Sequence, residues 1–295
     1  MLYFAYGSNL DVEDWERFCY RNGFRADCIK AIDRAFLPDY ELVFNVYSST
    51  RGGGALNIHR RPGACVYGAL FEVSEEGWRA LDFKEGVSER VYQRIQCTVL
   101  RPDGSVQEAV TYSVVPESES HFMEPTSDYF DAVHRGLVRF DHEADSFFHA
   151  ARGDGFPNSL LGVFVYGTLL SGESRSWVIE SSVLLDLSTA STSGLLYETE
   201  LDYPMLDIKA NEDADKIEGE LIFFQDLATT LAQLDKVEGF LDFGSSRNEY
   251  DRSLITVETS DGKKTLAWSY VAGDMSITTQ RIYSGSWRLK TSQAH

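Results

Sequence analysis

Two stretches of the chain repeat one pattern: LYFAYGSNL (Leu2–Leu10) and GVFVYGTLL (Gly162–Leu170). Each is an apolar, aromatic run typical of a buried strand, and each stops at Tyr-Gly followed by a small hydroxyl residue. Polar sequence with helix or turn character follows in both places. Because an internal repeat is the signature of a duplicated structural unit, these stretches predict two domains of one kind.

A second pair of matching segments lies farther along each half. Glu72–Val87 and Phe224–Phe240 both contain the motif Leu-Asp-x-x-Glu-Gly near their ends. A segment of aromatic and charged residues follows each motif, VYQRIQCTVL from Val91 and EYDRSLITVE from Glu249. Three elements in the same order and at similar separations indicate duplication of the whole domain.

The boundary between the halves is predicted in HAARGDGFPNSL (His149–Leu160), where Gly, Pro, Asn and Asp cluster. This gives domains at 1–150 and 161–295, which suits the size of ordinary domains. Strand candidates in the first half are 40–47, 55–59, 65–73, 92–100 and 108–115. Short strands with few helices predict the α+β class, with two small mixed β-barrels in tandem and flanking helices, rather than a doubly wound sheet.

The composition excludes several classes of function. A formal net charge of −19 argues against a nucleic-acid partner and is interpreted mainly as solubility, with repulsion of acidic substrates as the alternative. The four cysteines lack metal-site spacing and are predicted to be buried free thiols in a reducing compartment. Neither a signal-peptide pattern nor a run of about 18 apolar residues occurs, so a soluble, cytoplasmic protein with no membrane partner is expected.

The first candidate site is the Tyr-Gly turn, at Tyr6–Asn9 and at Tyr166–Leu169. A glycine directly after a buried strand allows successive backbone N–H groups to point at one spot. A helix continuing from Asp11 to Phe18 would add its positive N-terminal end. Such a turn can hold a carboxylate or a developing oxyanion. The alternative is an ordinary strand-to-helix turn, which the recurrence in both halves disfavours.

The second candidate site is the glutamate of Leu-Asp-x-x-Glu-Gly. Leucines at helical spacing precede Glu238, and Gly239 is expected to end that helix in the left-handed conformation. Glu85 and Gly86 repeat the arrangement after a helix that begins at Ser74. A carboxylate at a helix C-terminus faces partial negative charge, which raises its pKa and suits a proton acceptor. The alternative is a solvated surface glutamate.

Other features carry weaker signals. The glycine-rich run Arg51–Ala55 is either a close approach to a ligand or a flexible hairpin. An additional helix is predicted after Pro125. The five histidines without counterparts in the second half are interpreted as surface or capping residues: His59, His121, His134, His142 and His149.

With these elements placed, the sequence resembles the γ-glutamylcyclotransferase superfamily. The first half is similar to γ-glutamylcyclotransferase proper through FAYGSNL, GGALNI, VYGALFEV and LDFKEGV. The second half is similar to the γ-glutamylamine cyclotransferase and AIG2-like branch through VFVYGTLLSGE, GLLYETELDYPML, GELIFF, LDKVEGF and EYDR. The Tyr-Gly-Ser-Asn turn differs from the Tyr-Gly-Ser-Leu turn of the ChaC glutathione-degrading branch.

This resemblance implies a six-stranded mixed barrel, a small-molecule γ-glutamyl substrate, release of 5-oxoproline, and neither a metal nor an organic cofactor. Glu85 and Glu238 match the family's catalytic glutamate. The positions that match its substrate-binding residues are Tyr6, Gly7, Ser8, Asn9, Leu10, Tyr92, Tyr129, Tyr166, Gly167, Thr168, Leu169 and Tyr250. Tyr250 lies farther from its glutamate than Tyr92 does, and Tyr129 has no obvious counterpart, so the second pocket is expected to differ in shape.

The expected activity is therefore a 5-oxoproline-forming enzyme of transferase or lyase type. Three alternatives remain open at this point. The first is that one half serves as an inactive copy that binds or dimerises. The second is that the same chemistry deprotects a γ-glutamylated natural product, and the third is that the barrels bind a ligand without catalysis. The leaving amine and the oligomeric state stay open as well.

Overall fold

The structure is a computed structural model that describes residues 1–209 and 214–292. By compactness the chain divides into two units. Unit 1 comprises Met1–Arg101 and Val106–Leu160, and unit 2 comprises Pro102–Ser105 and the residues from Leu161 onward. Each unit contains a closed ring of strands together with helices, which confirms the predicted pair of mixed α+β barrels.

Unit 1 forms its ring from five strands in the order β1-β3-β2-β4-β5. The strands are β1 Leu2–Ala5, β2 Ile29–Ser48, β3 Gly53–Val73, β4 Tyr92–Leu100 and β5 Val106–Val114. The helices are α1 Val12–Asn22, α2 Glu75–Lys84, α3 Ser127–Arg139 and α4 Asp145–Ala151. A parallel pairing of Tyr3 with Val110 joins β5 back to β1 and closes the ring. Closure pairs the two edges that an open sheet would expose.

The ring has five strands rather than the six implied by the resemblance. The stretches 55–59 and 65–73, predicted as separate strands, are parts of one continuous β3 of 21 residues. The intervening Arg-Pro-Gly sequence is a bulge in the ladder, not a break. There Gly63 and Asp39 both have positive φ values, and the Gly63 N–H donates to Asp39 Oδ1 at 2.8 Å. A bulge bends the strand while the pairing with β2 continues on both sides.

Unit 2 repeats the ring with the order β10-β11-β6-β9-β7, and β7 pairs with β10 to close it. Its strands are β6 Gly162–Val165, β7 Leu184–Thr199, β8 Pro204–Asp207, β9 Asp215–Phe224, β10 Tyr250–Thr259, β11 Lys264–Ala272 and β12 Thr278–Arg281. Its helices are α5 Trp177–Glu180, α6 Leu227–Val237 and α7 Trp287–Ser292. The short strands β8 and β12 both pair with β7.

The helices that precede the two glutamates begin and end as the sequence predicts. The side chains of Ser74 and Asp226 each accept a hydrogen bond from the backbone N–H three residues later, at 3.1 and 3.0 Å. Gly86 and Gly239 follow the glutamates with φ values of 62° and 64°. Both are left-handed, the conformation that a helix-ending glycine adopts at least cost.

One histidine departs from the predicted surface location. His142 is only 8% exposed and lies against the rings of Phe36 and Tyr67. Its Nε2 donates to the Gly68 carbonyl at 2.7 Å, and burial lowers the pKa of its imidazole to about 4. A neutral imidazole with a backbone acceptor fits an apolar core, so the surface interpretation is wrong for His142.

The state of the cysteines agrees with the prediction from the composition. All four cysteines are buried and free, as predicted: Cys19, Cys28, Cys65 and Cys97. Among the helices of residues 1–209 and 214–292, none is both long and apolar enough to cross a membrane.

Candidate active sites

The structure of unit 1 brings the glutamate and the Tyr-Gly turn into direct contact. Glu85 lies at the C-terminal end of α2, half-buried, and faces the turn. Asn9 Nδ2 donates to Glu85 Oε1 at 2.7 Å and lies 2.8 Å from the Tyr3 hydroxyl oxygen. Two features recognised separately in the sequence therefore form one site.

The turn itself is a short 3-10 helix, Ser8–Leu10, that starts directly after Gly7. The Leu10 N–H donates to the Gly7 carbonyl at 3.0 Å. The N–H groups of Ser8 and Asn9, which open the turn, find no acceptor within the described part of the chain. They are free to bind an anion, as the N–H groups at the start of a helix do.

Leu10 is the one predicted binding residue of unit 1 that lies outside the site. It is fully buried, and a Cβ added at Gly136 of α3 would meet the Leu10 Cβ at 2.4 Å. Its side chain therefore packs against α3 and anchors the turn from behind.

The remaining predicted residues of unit 1 line one cavity of about 530 Å³, within the range of small-molecule sites. Tyr92 and Tyr129 are held there by the two backbone groups of Leu56. The Tyr92 hydroxyl donates to the Leu56 carbonyl at 2.6 Å, and the Leu56 N–H donates to the Tyr129 hydroxyl at 3.3 Å. The predicted residues in the lining are Tyr6, Gly7, Ser8, Asn9, Glu85, Tyr92 and Tyr129.

A cluster of charged side chains, which the sequence did not indicate, lines part of this cavity. Asp14 on α1 is buried and binds Arg51 at 2.7 Å and Lys84 at 2.8 Å. These two cations hold the pKa of the Asp14 carboxyl well below its usual range, against the effect of burial. Arg51 also donates to Ser8 Oγ at 3.1 Å and lies 5.2 Å from the centre of the Tyr129 ring. The glycine-rich run itself lies at the turn between β2 and β3, and the residues at its two ends, Arg51 and Ala55, line the cavity.

The cations of this cluster also affect the pKa of Glu85, the candidate catalytic residue. Burial raises the pKa of Glu85 above its ordinary value, while Lys84, the Asn9 amide and Arg51 oppose the rise. A carboxylate in this position is a better proton acceptor than one in water, and it stays close to donors that favour its ionised form.

Unit 2 repeats this arrangement in a tighter space. Glu238 is 6% exposed and borders a cavity of only about 30 Å³. The Tyr250 hydroxyl donates to the Pro204 carbonyl at 2.7 Å. Pro204 packs directly on the turn, because a Cβ added at Gly167 would lie 2.4 Å from the Pro204 Cγ. The predicted residues in this lining are Tyr166, Gly167, Thr168, Leu169, Glu238 and Tyr250.

The two glutamates differ in their partners. Leu169 occupies the position of Asn9 in the turn, and the Glu238 carboxylate has no hydrogen-bond partner among the residues that the structure describes. Burial raises the pKa of Glu238 to about 7, with Arg175 opposing and Glu249 adding to the rise. Glu238 is therefore partly protonated near neutral pH.

Family models match a segment of each unit. Residues 163–289 match the family described as "Gamma-glutamyl cyclotransferase, AIG2-like", and residues 65–138 match the "AIG2-like family". The chain carries two segments in tandem that match AIG2-like family models. The AIG2-like match of unit 1 starts at Cys65, so β1 and the Tyr-Gly turn precede the matched segment.

Curated relatives of these AIG2-like domains match part of the chain. Gamma-L-glutamyl-butirosin B gamma-glutamyl cyclotransferase of Niallia circulans is 33% identical over 112 residues, which are 37% of this chain and 65% of that protein. Human gamma-glutamylcyclotransferase is 34% identical over 103 residues, which are 35% of this chain and 53% of that protein. The chain thus spans between about half and two thirds of the length of the curated relatives it matches.

Solved structures show likeness to the AIG2-like domains as well. A structure titled "Gamma-glutamyl cyclotransferase" has 27% sequence identity and a TM-score of 0.42, covering 48% of this chain and 79% of its own. YkqA from Bacillus subtilis has 15% identity and a TM-score of 0.32, covering 92% of this chain and 85% of its own.

Replacing Asp14 in the first AIG2-like domain tests the charged cluster. Asp14→Asn should lower the free energy of unfolding of unit 1 by about 2 kcal/mol, because two largely buried cations then lose an ionised acceptor. Urea unfolding of the full chain at neutral pH measures this loss. The exposed Glu13→Gln is the matched control on the same helix, and equal stability of both variants would contradict the role of the cluster.

Proposed function

We propose that this protein is a γ-glutamyl cyclotransferase that releases 5-oxoproline and a free amine from a γ-glutamyl amide. The observation that carries the proposal is the 2.7 Å hydrogen bond from Asn9 of the Tyr-Gly turn to the Glu85 carboxylate inside the unit 1 cavity. The names of the curated relatives support the same chemistry.

The reaction requires one proton to move twice. The α-amine of the γ-glutamyl group attacks its own γ-carbonyl, forms the ring N–C bond, and displaces the amide nitrogen as an amine. An α-ammonium group has a pKa of about 8, and it gives up one proton to water before the neutral amine attacks. Glu85 takes the second proton, which the amine nitrogen loses as the ring bond forms, and then donates it to the leaving nitrogen, a role worth about 10²–10⁴-fold in rate.

The Tyr-Gly turn supplies the second half of the chemistry. The N–H groups of Ser8 and Asn9 face no protein acceptor, so they can hold the substrate α-carboxylate or the oxyanion formed on the γ-carbonyl. A donor aimed at a developing oxyanion contributes about 3–4 kcal/mol in known enzymes. Arg51, bound to Ser8 of the turn, adds positive charge beside it. Because the nucleophile and the electrophile belong to one molecule, binding the substrate in its curled, reactive conformation lowers the activation free energy further.

The direct test is mass spectrometry for 5-oxoproline after incubation of the full chain with a panel of γ-glutamyl compounds. The panel should contain γ-glutamyl amino acids, γ-glutamyl-lysine and γ-L-glutamyl-butirosin B, the compound for which the Niallia circulans relative is named. At least one member is expected to yield 5-oxoproline and its free amine. Survival of every compound with stoichiometric protein would leave a ligand-binding barrel as the function.

For unit 2, a binding or dimerising copy is the second candidate function. The cavity beside Glu238 has room for only a few water molecules, so a substrate could enter only after Pro204 moves. The buried Glu238 argues against an inactive copy. Its raised pKa lowers the stability of unit 2 at neutral pH, and a copy without function would have no reason to keep a residue with that cost.

Exchanging Asn9 and its counterpart tests how the turn tunes the glutamate. Asn9→Leu should raise the pKa of Glu85 further, because the carboxylate then loses its amide donor. The acidic limb of the pH profile of kcat/KM should move to higher pH, since the base must be ionised to act. Leu169→Asn is the reciprocal variant and should lower the pKa of Glu238. A pH profile unmoved by Asn9→Leu would contradict the hydrogen bond's role.

A further inference from the structure

Each unit holds the same cluster of three side chains beside its glutamate. We propose that this Asp–Tyr–Arg cluster is a positioning device that fixes the glutamate relative to the Tyr-Gly turn. The inference rests on the proposed function. The clusters are Asp82, Tyr112 and Arg94 in unit 1 and Asp235, Tyr270 and Arg252 in unit 2.

In unit 1 the cluster attaches the end of α2 to two strands. Asp82 lies three residues before Glu85, about one helical turn away. The Tyr112 hydroxyl donates to Asp82 Oδ1 at 2.8 Å, and Arg94 binds both carboxylate oxygens at 2.7 Å. Arg94 also donates to the Trp78 carbonyl at 3.2 Å, one turn earlier in α2. A bidentate pair of this kind fixes geometry as well as charge.

Tyr112 also holds the other half of the site. Its backbone carbonyl accepts a hydrogen bond from the Tyr6 hydroxyl at 2.8 Å. One residue of β5 therefore holds the Tyr-Gly turn through its main chain and the glutamate's helix through its side chain. Tyr112 therefore helps to set the placement of Glu85 relative to the turn, together with the direct hydrogen bond from Asn9 to Glu85.

Unit 2 repeats the links from the tyrosine to the aspartate and to the turn, and the ion pair between the arginine and the aspartate. The Tyr270 hydroxyl donates to Asp235 Oδ1 at 2.6 Å, and the Tyr270 carbonyl accepts from the Tyr166 hydroxyl at 2.6 Å. Arg252 Nη1 donates to Asp235 Oδ2 at 3.1 Å. In both units the arginine and the tyrosine lie directly opposite each other on paired strands.

The surroundings of the two clusters differ, although the tyrosine links the aspartate and the turn in both. The Arg94 side chain is 37% exposed and lies over Trp78, whereas the Arg252 side chain is 4% exposed among three aromatic rings. An exposed ion pair contributes little to stability, so stability alone gives no reason for the Asp82–Arg94 pair. What the two units share is the link between turn and helix.

The test uses Tyr112→Phe in the full chain carrying Glu238→Gln, so that unit 1 alone is measured. We expect kcat for 5-oxoproline release to fall by roughly tenfold while KM changes by less than about twofold, since the base is displaced rather than removed. The pH profile should keep its midpoint. By hydrogen exchange, the N–H of Glu85, which donates to the Leu81 carbonyl, should exchange faster than in the parent.

Two comparisons separate positioning from simple stabilisation. Tyr67→Phe removes the hydroxyl of another buried tyrosine outside the cavity and should leave kcat unchanged. Asp82→Asn keeps an oxygen acceptor for Tyr112 and should retain more activity than Asp82→Ala. If Tyr112→Phe leaves both kcat and Glu85 exchange unchanged, or lowers kcat only in proportion to the unfolded fraction, the proposal is wrong. If the parent releases no 5-oxoproline, the proposed function fails, and the exchange of Glu85 still decides the role of the cluster.

Discussion

Glu85→Gln is expected to lower the rate of 5-oxoproline release by unit 1 by about 10²–10⁴-fold, because glutamine cannot accept the proton of the substrate amine. The fold should survive, since the glutamine oxygen can still accept the hydrogen bond from Asn9. The rate is measured by mass spectrometry on the full chain with the best substrate of the panel. Circular dichroism checks the fold.

Glu75→Gln is the matched control, because Glu75 lies at the exposed start of the same helix and should have no effect on rate. Glu238→Gln should remove only the activity of unit 2, and the activity that remains in Glu85→Gln but is lost in the double variant measures that unit. A double variant, Glu85→Gln with Glu238→Gln, that formed 5-oxoproline at the wild-type rate would refute the assignment of both glutamates.

Glu238→Gln should also stabilise unit 2, by about 3 kcal/mol at pH 8, as the pKa of Glu238 rises from 4.5 to about 7 on folding. The folded protein retains a proton between about pH 4.5 and 7 that the unfolded chain has already lost. The wild type therefore loses stability as the pH rises through this window. Glutamine does not ionise, so the stability of the variant does not fall as the pH rises through this window.

The measurement is urea unfolding of the full chain at pH 4, 6 and 8. The gain should be near zero at pH 4, grow through the window and stay constant above it. Glu218→Gln is the control, because an exposed carboxylate is hydrated in the folded and the unfolded states alike. A gain from Glu238→Gln that did not depend on pH would mean that the charge of this buried carboxylate is not its cause.

The parts of the site that follow local rules could be predicted from the sequence. The Tyr-Gly turns, the capped helix starts and the left-handed glycines after both glutamates each depend on a few neighbouring residues. The repeat then indicated which turn belongs with which glutamate. Glu85 and Asn9 are in contact although 76 positions separate them.

The missed parts depend on distant partners. No residue near Asp14 in the sequence indicates that it binds Arg51. The Arg-Pro-Gly stretch of β3 predicts a break between two strands, because the sequence does not show that Asp39 lies opposite it and accepts a hydrogen bond from Gly63. His142 lies in the loop after α3, and its acceptor, the Gly68 carbonyl, belongs to β3, which is distant in sequence. The arginines of the Asp–Tyr–Arg clusters lie in a sequence repeat, because Tyr-x-Arg follows both glutamates, at Tyr92 and at Tyr250. The tyrosines of the clusters, on β5 and β11, lie in no such repeat.

Closure of the unit 1 ring by its first strand has a consequence for synthesis. In unit 1 the Tyr-Gly turn follows β1, yet the turn's Tyr6 depends on Tyr112, which leaves the ribosome 106 residues later. Long-range pairing of this kind forms late in folding, after hairpins such as β2–β3. The nascent chain thus acquires most of its strands before it acquires a binding site. Substitutions that weaken ring closure should consequently abolish turnover in newly made protein before they reduce its β-sheet content.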